Sequence, residues 1–319
     1  RVHVVGDTIV DSYTYCSLIG SNAKTPTFSV RYESQADFVG GAAIVAKHLR
    51  AAGAEVVLST VLGEDARQKL VLEDLERSGV DCRAIIDPTR PTTQKNAFIA
   101  GGYRLLKVDT LDNRSISERI LSRLRQQLAE IPTDAVVFSD FRHGIFDRRS
   151  APELVSSAPE SAYRVADSQV ASRWGNILDF AGVSLITPNE REARFALGDQ
   201  DSVVRPLAWE LYRRAGCKTL ILKLGERGIL VYRQRPKDDV RAFFVLDSFA
   251  DRLTDPVGAG DALLAYATLP LVTSGNEVIA GVLGSLAAAI ECERDGNTPV
   301  SQRDILSKLT SVQRQAEFS

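Results

Sequence analysis

The residues of this chain that are best arranged for chemistry are Gly258-Ala259-Gly260-Asp261, followed by an apolar run over 262–271. The small residues permit a tight turn, and the apolar run predicts a buried helix whose first backbone N–H groups point out of that turn. Such a helix start can bind a phosphate or a developing oxyanion. A carboxylate there would repel a bound anion, so Asp261 is better suited to accept a proton from a hydroxyl that attacks a phosphoryl group. A structural turn is the alternative interpretation.

Two further loops have the composition of a nucleotide site. Asn189 and Glu192 follow a predicted strand at a predicted helix start, where they could form a capping box, or Glu192 could act through water on Mg²⁺. Lys223 to Gly228, with glycines at 225 and 228, joins two predicted strands. These glycines would admit phosphates, although a plain hairpin turn is an alternative. The loop is not a Walker A motif, because GxxxxGK[ST] is absent from the chain.

Asp11 and the pair Gly40-Gly41 could bind a ligand that carries several hydroxyl groups. An aspartate accepts hydrogen bonds from two neighbouring hydroxyls, and bare glycine amides donate to others. A capping aspartate and a close helix–sheet contact explain the same residues without a ligand.

The composition is that of an ordinary globular protein, with 319 residues, 44% hydrophobic and 25% charged, and a formal net charge of −2. A net charge this close to zero does not indicate nucleic-acid binding. No apolar run approaches the length of about 20 residues that is needed to span a bilayer. Four scattered cysteines without a CxxC pair predict reduced thiols in a cytoplasmic protein rather than a metal site. Methionine is absent even from position 1, so the sequence could begin inside a longer, bifunctional polypeptide.

Predicted strands and helices alternate along most of the chain, which indicates an α/β fold of βαβ units. Strands are predicted at 2–5, 55–62, 82–86, 135–138, 164–166, 183–186, 219–224, 229–232 and 242–246, and helices at 42–49, 65–78, 116–131, 203–215, 258–289 and 301–314. Polar or glycine loops follow the strands, so one edge of one sheet should carry the chemistry. We expect one domain over 1–319.

Two segments, about 12–38 and 91–110, interrupt the α/β alternation and predict a small β lid. An alternating strand at 27–32 should share this lid with a hairpin of 95–100 and 103–108 around Gly101-Gly102. An exposed lid sheet can pair between subunits, which leaves a homodimer through the lid open.

The motifs together resemble the ribokinase (PfkB) family of carbohydrate kinases, in the family's order and over nearly the whole chain. They are Gly40-Gly41-Ala42-Ala43, Asn189-x-x-Glu192, Lys223-Leu224-Gly225-x-x-Gly228 and Asp255-Pro256-Val257-Gly258-Ala259-Gly260-Asp261. Gly6-Asp7 with Asp11, and Ser139-Asp140, most resemble the kinase domains that phosphorylate heptose 7-phosphate in ADP-heptose synthesis. The resemblance implies a ribokinase-like three-layer α/β/α fold with a mainly parallel central sheet and a small β lid over the sugar.

The resemblance also implies an ATP-dependent sugar or sugar-phosphate kinase that uses Mg²⁺. Asp261 would be the base, and the amides of Gly258, Ala259 and Gly260 would form an anion hole. The remaining implied contacts are Asp11, Gly40, Gly41 and Lys95 for the sugar or its phosphate; Asn189 and Glu192 for the Mg²⁺–phosphate end; Lys223, Gly225, Gly228 and Ser285 for the nucleotide; and Asp255 with the Val257 carbonyl for a monovalent cation such as K⁺.

Two positions depart from the family pattern. Ile44 stands where the family usually has an asparagine that contacts sugar hydroxyls, and Ser285 stands where an asparagine by the adenine is expected. Isoleucine cannot make that hydrogen bond, so the identity of the sugar stays open. A kinase for a nucleoside or fructose phosphate, and a degenerate protein that binds sugar or nucleotide without transfer, are the alternatives.

Overall fold

The computed structural model describes residues 1–21, 27–170, 176–233, 241–294 and 296–317. Residues 22–26 of the predicted lid segment therefore lie outside the described residues. In chain order the strands are β1 (Val2–Gly6), β2 (Thr8–Ser21), β3 (Phe28–Gly41), β4 (Val56–Leu62), β5 (Asp81–Ile86), β6 (Gln94–Ala100), β7 (Tyr103–Thr110), β8 (Ala135–Asp140), β9 (Tyr163–Ser168), β10 (Leu185–Ile186), β11 (Thr219–Lys223), β12 (Ile229–Arg233) and β13 (Phe243–Leu246). The helices are α1 (Ala42–Ala51), α2 (Ala66–Arg77), α3 (Glu118–Glu130), α4 (Ser150–Ser157), α5 (Glu190–Leu197), α6 (Val204–Ala215), α7 (Ala259–Ser274), α8 (Glu277–Cys292) and α9 (Gln302–Glu317).

Among the described residues, nine strands form one large sheet in the order β13-β12-β11-β10-β9-β8-β1-β4-β5. The pairs from β11 to β5 are parallel, whereas the two pairs at the other edge, β11–β12 and β12–β13, are antiparallel, so only β12 runs against the rest of the sheet. The mainly parallel central sheet predicted from the sequence is therefore confirmed.

Helices cover both faces of the large sheet, which makes the structure three-layered. Successive side chains of β8 enter different cores: Val136 and Phe138 pack with α3, α4 and α6, whereas Ala135 and Val137 pack with α1, α2 and α7. Because side chains alternate along a strand, a strand buried on both faces must be apolar throughout. This explains why the predicted strands appear in the sequence as short continuous apolar runs.

A second sheet, made of β2, β3, β6 and β7, has the order β3-β2-β6-β7. The predicted hairpin is present as β6 and β7, but it pairs with β2 and not with the strand that begins at Phe28. Both β2 and β3 are 14 residues long, so the predicted strand at 27–32 was too short. The two long strands hydrogen-bond to each other, and this pairing stabilises segments whose residue pattern alone is too weak to predict strands of this length.

The second sheet exposes apolar side chains, among them Leu18, Ile19, Phe28 and Tyr103. Pairing between subunits through this sheet stays a prediction. Within the described ranges, no helix combines the length and the apolar character needed to cross a membrane.

Candidate functional site

A cleft of about 1120 Å³ lies between the carboxyl ends of the large-sheet strands, the start of α7 and the second sheet. Ligands of α/β proteins bind at this edge of the sheet. Most of the predicted site residues line it: Asp11, Gly41, Lys95, Asn189, Glu192, Lys223, Gly225, Gly228, Val257, Gly258, Ala259, Gly260, Asp261 and Ser285. Gly40 and Asp255 do not line the cleft themselves. Gly40 lies against Asp11, and Asp255 is paired with Arg104, and both of these partners line the cleft.

The start of α7 has the turn that the sequence predicts. Gly258 is the residue before the helix and has φ 86°, a left-handed conformation that favours glycine. A Cβ at this position would lie 2.6 Å from Asn297 Oδ1 and 3.0 Å from Glu291 Oε1. The Ala259 N–H makes only a long hydrogen bond, 3.4 Å, to the Pro256 carbonyl. The turn thus leaves a backbone donor that a bound anion could engage.

Asp261 lies in the first turn of α7 and is 7% exposed. Burial raises the pKa of its carboxyl well above the usual value, and the negative charge of Asp167 raises the pKa further. The Lys223 ammonium opposes this rise. A carboxyl whose pKa is raised in a cleft is the kind of group that accepts and returns protons.

Lys223, at the end of β11, is the cation that opposes this accumulation of negative charge. Its Nζ donates to Asp167 Oδ1 at 3.0 Å, and the Thr187 hydroxyl donates to the same oxygen at 2.7 Å. Burial would lower the pKa of Lys223, but Asp167 and Glu192 outweigh burial and raise it. The Cβ of an alanine at 260 would lie 3.1 Å from this ammonium, so only a glycine fits comfortably there.

The sequence interpretation overlooked Asp167 as a partner of Lys223, although it identified the strand that ends at Asp167. The parallel register of β9, β10 and β11 brings the ends of these strands together. The sequence shows only that one strand ends in a carboxylate and another in a lysine. Whether these two side chains pair depends on the order of the strands in the sheet.

Asn189 and Glu192 form the capping box at the start of α5. Asn189 Oδ1 accepts from the Glu192 N–H at 2.8 Å, and Glu192 Oε2 accepts from the Asn189 N–H at 2.7 Å. The structural alternative for this motif is therefore correct, yet both residues also line the cleft. Burial and the neighbouring Asp167 raise the pKa of Glu192 to about 7, against the effect of Lys223. Lys223 is shared with Asp167 and only partly offsets this rise, so a divalent cation beside Glu192 would add compensating positive charge.

No cluster of three or more His, Cys, Asp or Glu side chains that could enclose a metal ion occurs in the described part of the chain. Mg²⁺ does not depend on such a cluster, because it keeps several waters and is held by one or two carboxylates together with substrate phosphates.

Asp11, on β2, forms the opposite wall of the cleft together with Asn297. A Cβ at Gly40 would overlap the Asp11 carboxylate and would lie 2.8 Å from Asn297 Nδ2. Burial raises the pKa of Asp11, whereas Lys95 and the hydrogen bond from Asn297 lower it. The sequence interpretation missed Asn297, because it lies in a loop 286 positions after its partner and no local pattern marks it.

Lys95 lies opposite Asp11 in the β2–β6 register, and its Nζ is 5.9 Å from the centre of the Phe141 ring. Burial lowers the pKa of Lys95, and Asp11 counteracts this effect. Ile44, in contrast, is fully buried in the core and is not among the residues that line the cleft. The side chain that departs from the family pattern is thus buried away from the cleft.

The loop after β8 is folded around Asp7. Asp7 Oδ2 accepts from the backbone N–H groups of Phe141 and His143, both at 3.1 Å. His143 in this loop is buried, its Nδ1 contacts Asn113 Oδ1 at 2.8 Å, and burial lowers its pKa to about 3. Asp7 therefore orders the loop that places Phe141 against Lys95.

Asp255 already has partners on both carboxylate oxygens. Oδ1 accepts from the Val257 N–H at 3.1 Å, and Oδ2 accepts from Arg104 Nη2 at 3.0 Å and from the Tyr13 hydroxyl at 3.4 Å. Both Arg104 and Tyr13 belong to the second sheet. The predicted ligand for a monovalent cation is therefore paired with a protein cation, and the residues present do not fit a K⁺ ion at this carboxylate.

Ser285 lies on α8 at the end of the cleft that Gly225 and Gly228 also line. Its hydroxyl is buried and has no hydrogen-bond partner among the residues that the structure describes. Such a group is costly to leave unpaired, so it is suited to a polar ligand atom.

The fold and the cleft together define a ribokinase-like α/β protein. The model of the pfkB family carbohydrate kinases matches residues 1–303, and the chain therefore belongs to this family. Members of the family are phosphotransferases with an alcohol group as acceptor.

Individual relatives agree with this assignment. The chain is 28% identical over 316 residues to the bifunctional protein HldE of Desulfatibacillum aliphaticivorans. This alignment covers 97% of the chain and 63% of that relative. The chain spans less than two thirds of the length of the first curated relatives that it matches.

Solved structures show the same fold. Phosphofructokinase-2 from Escherichia coli in complex with potassium superposes with a TM-score of 0.80 at 18% identity, covering 98% of this chain and 99% of that one. Arabidopsis thaliana ribokinase complexed with ribose and ATP superposes with a TM-score of 0.73 at 17% identity, covering 97% and 98%.

Proposed function

We propose that this chain is an ATP-dependent kinase that transfers the γ-phosphoryl group to a hydroxyl of a sugar or sugar phosphate. Residues 1–319 would act as one kinase domain, with the second sheet, from about 12–38 and 91–110, as a lid over the acceptor. The observation that carries the proposal is the position of Asp261 in the cleft. It lines the cleft together with Lys223, Glu192, Asp11 and Asn297, and the charges of Lys223 and Asp11 both act on its carboxyl.

The two ends of the cleft suit two different substrates. ATP would bind between Lys223, Gly225, Gly228 and Ser285, with its phosphates directed to the start of α7. The acceptor would bind beneath the lid, where Asp11, with Asn297 beside it, and the amides of Gly40 and Gly41 can hold hydroxyl groups. A solved neighbour with ribose and ATP supports the presence of both subsites in this fold.

In the transfer step, Asp261 would accept the proton of the acceptor hydroxyl as its oxygen attacks the γ-phosphorus and the bond to the β-phosphate oxygen breaks. The N–H groups of Gly258, Ala259 and Gly260, at the positive end of the α7 dipole, would stabilise the developing negative charge. Bound Mg²⁺, held through Glu192 and water near Asn189, would supply charge neutralisation at the phosphates.

A positively charged acceptor site favours a substrate that already bears an anionic group. Lys95 lines the cleft beside Asp11, and Lys107 of β7 also lines it. We therefore infer a sugar phosphate as the acceptor class rather than a neutral sugar. A heptose 7-phosphate is the particular acceptor that the resemblance suggests.

The test is the substitution Asp261→Asn, assayed for ATP consumption with a panel of sugars, sugar phosphates and nucleosides. General base catalysis contributes about 10² to 10⁴ in rate, so we expect turnover to fall by about 10³. The affinity for ATP, measured by calorimetry, should change little because the amide has the same shape. The matched control is Asp251→Asn, which removes an exposed carboxylate of the same cleft that is paired with Lys308. Unchanged turnover in Asp261→Asn would contradict the mechanism, and a wild-type protein that binds ATP without consuming it would support a degenerate binder.

A further inference from the structure

The ion pair between the second sheet and the loop before α7 sets this chain apart from a simple monovalent-cation site. Arg104 Nη2 lies 3.0 Å from Asp255 Oδ2, and the Asp255 side chain is 9% exposed. The same carboxylate, through Oδ1, holds the Val257 N–H and thereby the turn that leads into Gly258. The charge state of Asp255 is thus connected directly to the predicted anion hole.

Arg104 is held in place by aromatic side chains of its own sheet. Its guanidinium carbon lies 5.8 Å from the centre of the Tyr13 ring, and the Tyr13 hydroxyl donates to the same Asp255 oxygen at 3.4 Å. Tyr13 in turn packs against Phe38, with ring centres 5.5 Å apart. A cation above an aromatic face is favourable, and its planar guanidinium is suited to a carboxylate. The second sheet therefore presents a preoriented cation to Asp255.

Positive charge is needed at this point because the surroundings are strongly acidic. Glu291 is 1% exposed and its Oε1 lies beside Gly258, and Asp261 is one turn along α7. An unpaired Asp255 would add a further negative charge next to amides that must stabilise an anion. A cation on Asp255 removes that repulsion, whether it is an inorganic ion or a guanidinium.

We propose that Arg104 supplies this positive charge in the protein itself, so that turnover requires no monovalent metal cation. The inference rests on the proposed kinase function only for its activity readout. Arg104 comes from the lid, so the charge arrives at Asp255 when the lid lies over the cleft. Closure of the lid over the acceptor would then also neutralise the charge of Asp255 in the loop before α7.

One group of atoms offers an inorganic cation an alternative place. Asn297 Oδ1 and both carboxylate oxygens of Glu291 are buried and lack hydrogen-bond partners of ordinary geometry among the described residues. Both residues lie beside Gly258. If a monovalent cation binds the wild-type protein specifically, these oxygens are where it would bind, and the proposal would be wrong.

The activity experiment compares wild-type protein and Arg104→Gln in K⁺ and in tetramethylammonium at constant ionic strength. Wild type should turn over at the same rate in both salts. The turnover rate of Arg104→Gln should fall about tenfold or more in tetramethylammonium, which is the loss expected for one charge-assisted hydrogen bond. Its turnover rate should recover in K⁺. Arg31→Gln is the matched control, because Arg31 is an exposed cation of the same sheet that pairs with Glu33. It should behave as wild type.

The binding experiment uses thermal unfolding in the same two salts and requires no turnover. A ligand that binds only the folded state raises the melting temperature. We expect no K⁺-specific rise for wild type and a K⁺-specific rise for Arg104→Gln. K⁺-specific activation or stabilisation of wild type would overturn the proposal, and so would an Arg104→Gln protein that K⁺ neither stabilises nor reactivates. If no acceptor is phosphorylated at all, the proposed function fails, and the melting temperatures still decide whether Arg104 replaces the cation.

Discussion

The two regions that face each other across the cleft hold their charges differently. At the edge of the large sheet, Lys223 is buried and paired with Asp167, and Asp261 is buried beside them. The second sheet reaches the cleft with Arg104, whose side chain is 52% exposed. A buried pair is fixed by the packing around it, whereas an exposed one is weak and depends on where its sheet lies. Lys223 and Asp261 are therefore held by the surrounding packing, whereas the position of Arg104 depends on where the second sheet lies.

After Asp261→Asn, the largest effect is expected from Gly258→Ala, which tests how rigid the large-sheet edge is. The Cβ would meet Asn297 Oδ1 and Glu291 Oε1 at a left-handed φ of 86°. A shift of about 1 Å at the start of α7 costs about 10² in turnover, and the strained backbone costs about 2 kcal/mol of stability. Gly216→Ala is the control, since its φ is 60° but nothing lies within 4 Å of its Cβ, and Gly216 is not among the residues that line the cleft. It should cost about 1 kcal/mol. Equal losses of turnover in both variants would show that crowding at Gly258 is unimportant.

Lys223→Met tests whether the buried pair tunes the base. The Lys223 charge lowers the pKa of Asp261, so its removal raises that pKa further. Asp261 must be ionised to accept a proton, so kcat/KM rises with pH, and the midpoint of this rise should move to higher pH in Lys223→Met. Lys223→Arg should restore the midpoint in part.

Lys308→Met is the control for the pH profile, because Lys308 is also buried and paired, with Asp251 and Glu293. It should lower stability without moving the midpoint. A midpoint that stays in place in Lys223→Met would mean that Lys223 acts on the nucleotide alone.

A smaller effect is expected on the other side of the cleft, from Lys95→Met. If Lys95 binds an anionic group of the acceptor, the KM for a sugar phosphate should rise about tenfold, or about 1.4 kcal/mol, while kcat and the KM for ATP stay nearly unchanged. The corresponding neutral sugar should show no such change. Lys69→Met, at an exposed position of α2, is the control. An equal rise for neutral and phosphorylated acceptors would contradict an anion site at Lys95.

The sequence alone determined the parts of this protein whose signal is local. Continuous apolar runs predicted the strands that are buried on both faces of the sheet. The turn from Gly258 to Asp261, followed by an apolar run, predicted the start of α7. The capping box of Asn189 and Glu192 was likewise visible as a spacing, because its two partners are three residues apart.

Tertiary structure alone decided the rest. The partners of Lys223, Asp11 and Asp255 come from positions 56, 286 and 151 residues away in the chain, namely Asp167, Asn297 and Arg104. The order of parallel strands brings the first pair together, and the long β2 and β3 strands, which sequence periodicity did not reveal, carry the second sheet over the cleft. Side-chain burial and strand order, which depend on the whole fold, set the charge on these groups; a local pattern of residue types does not contain that information.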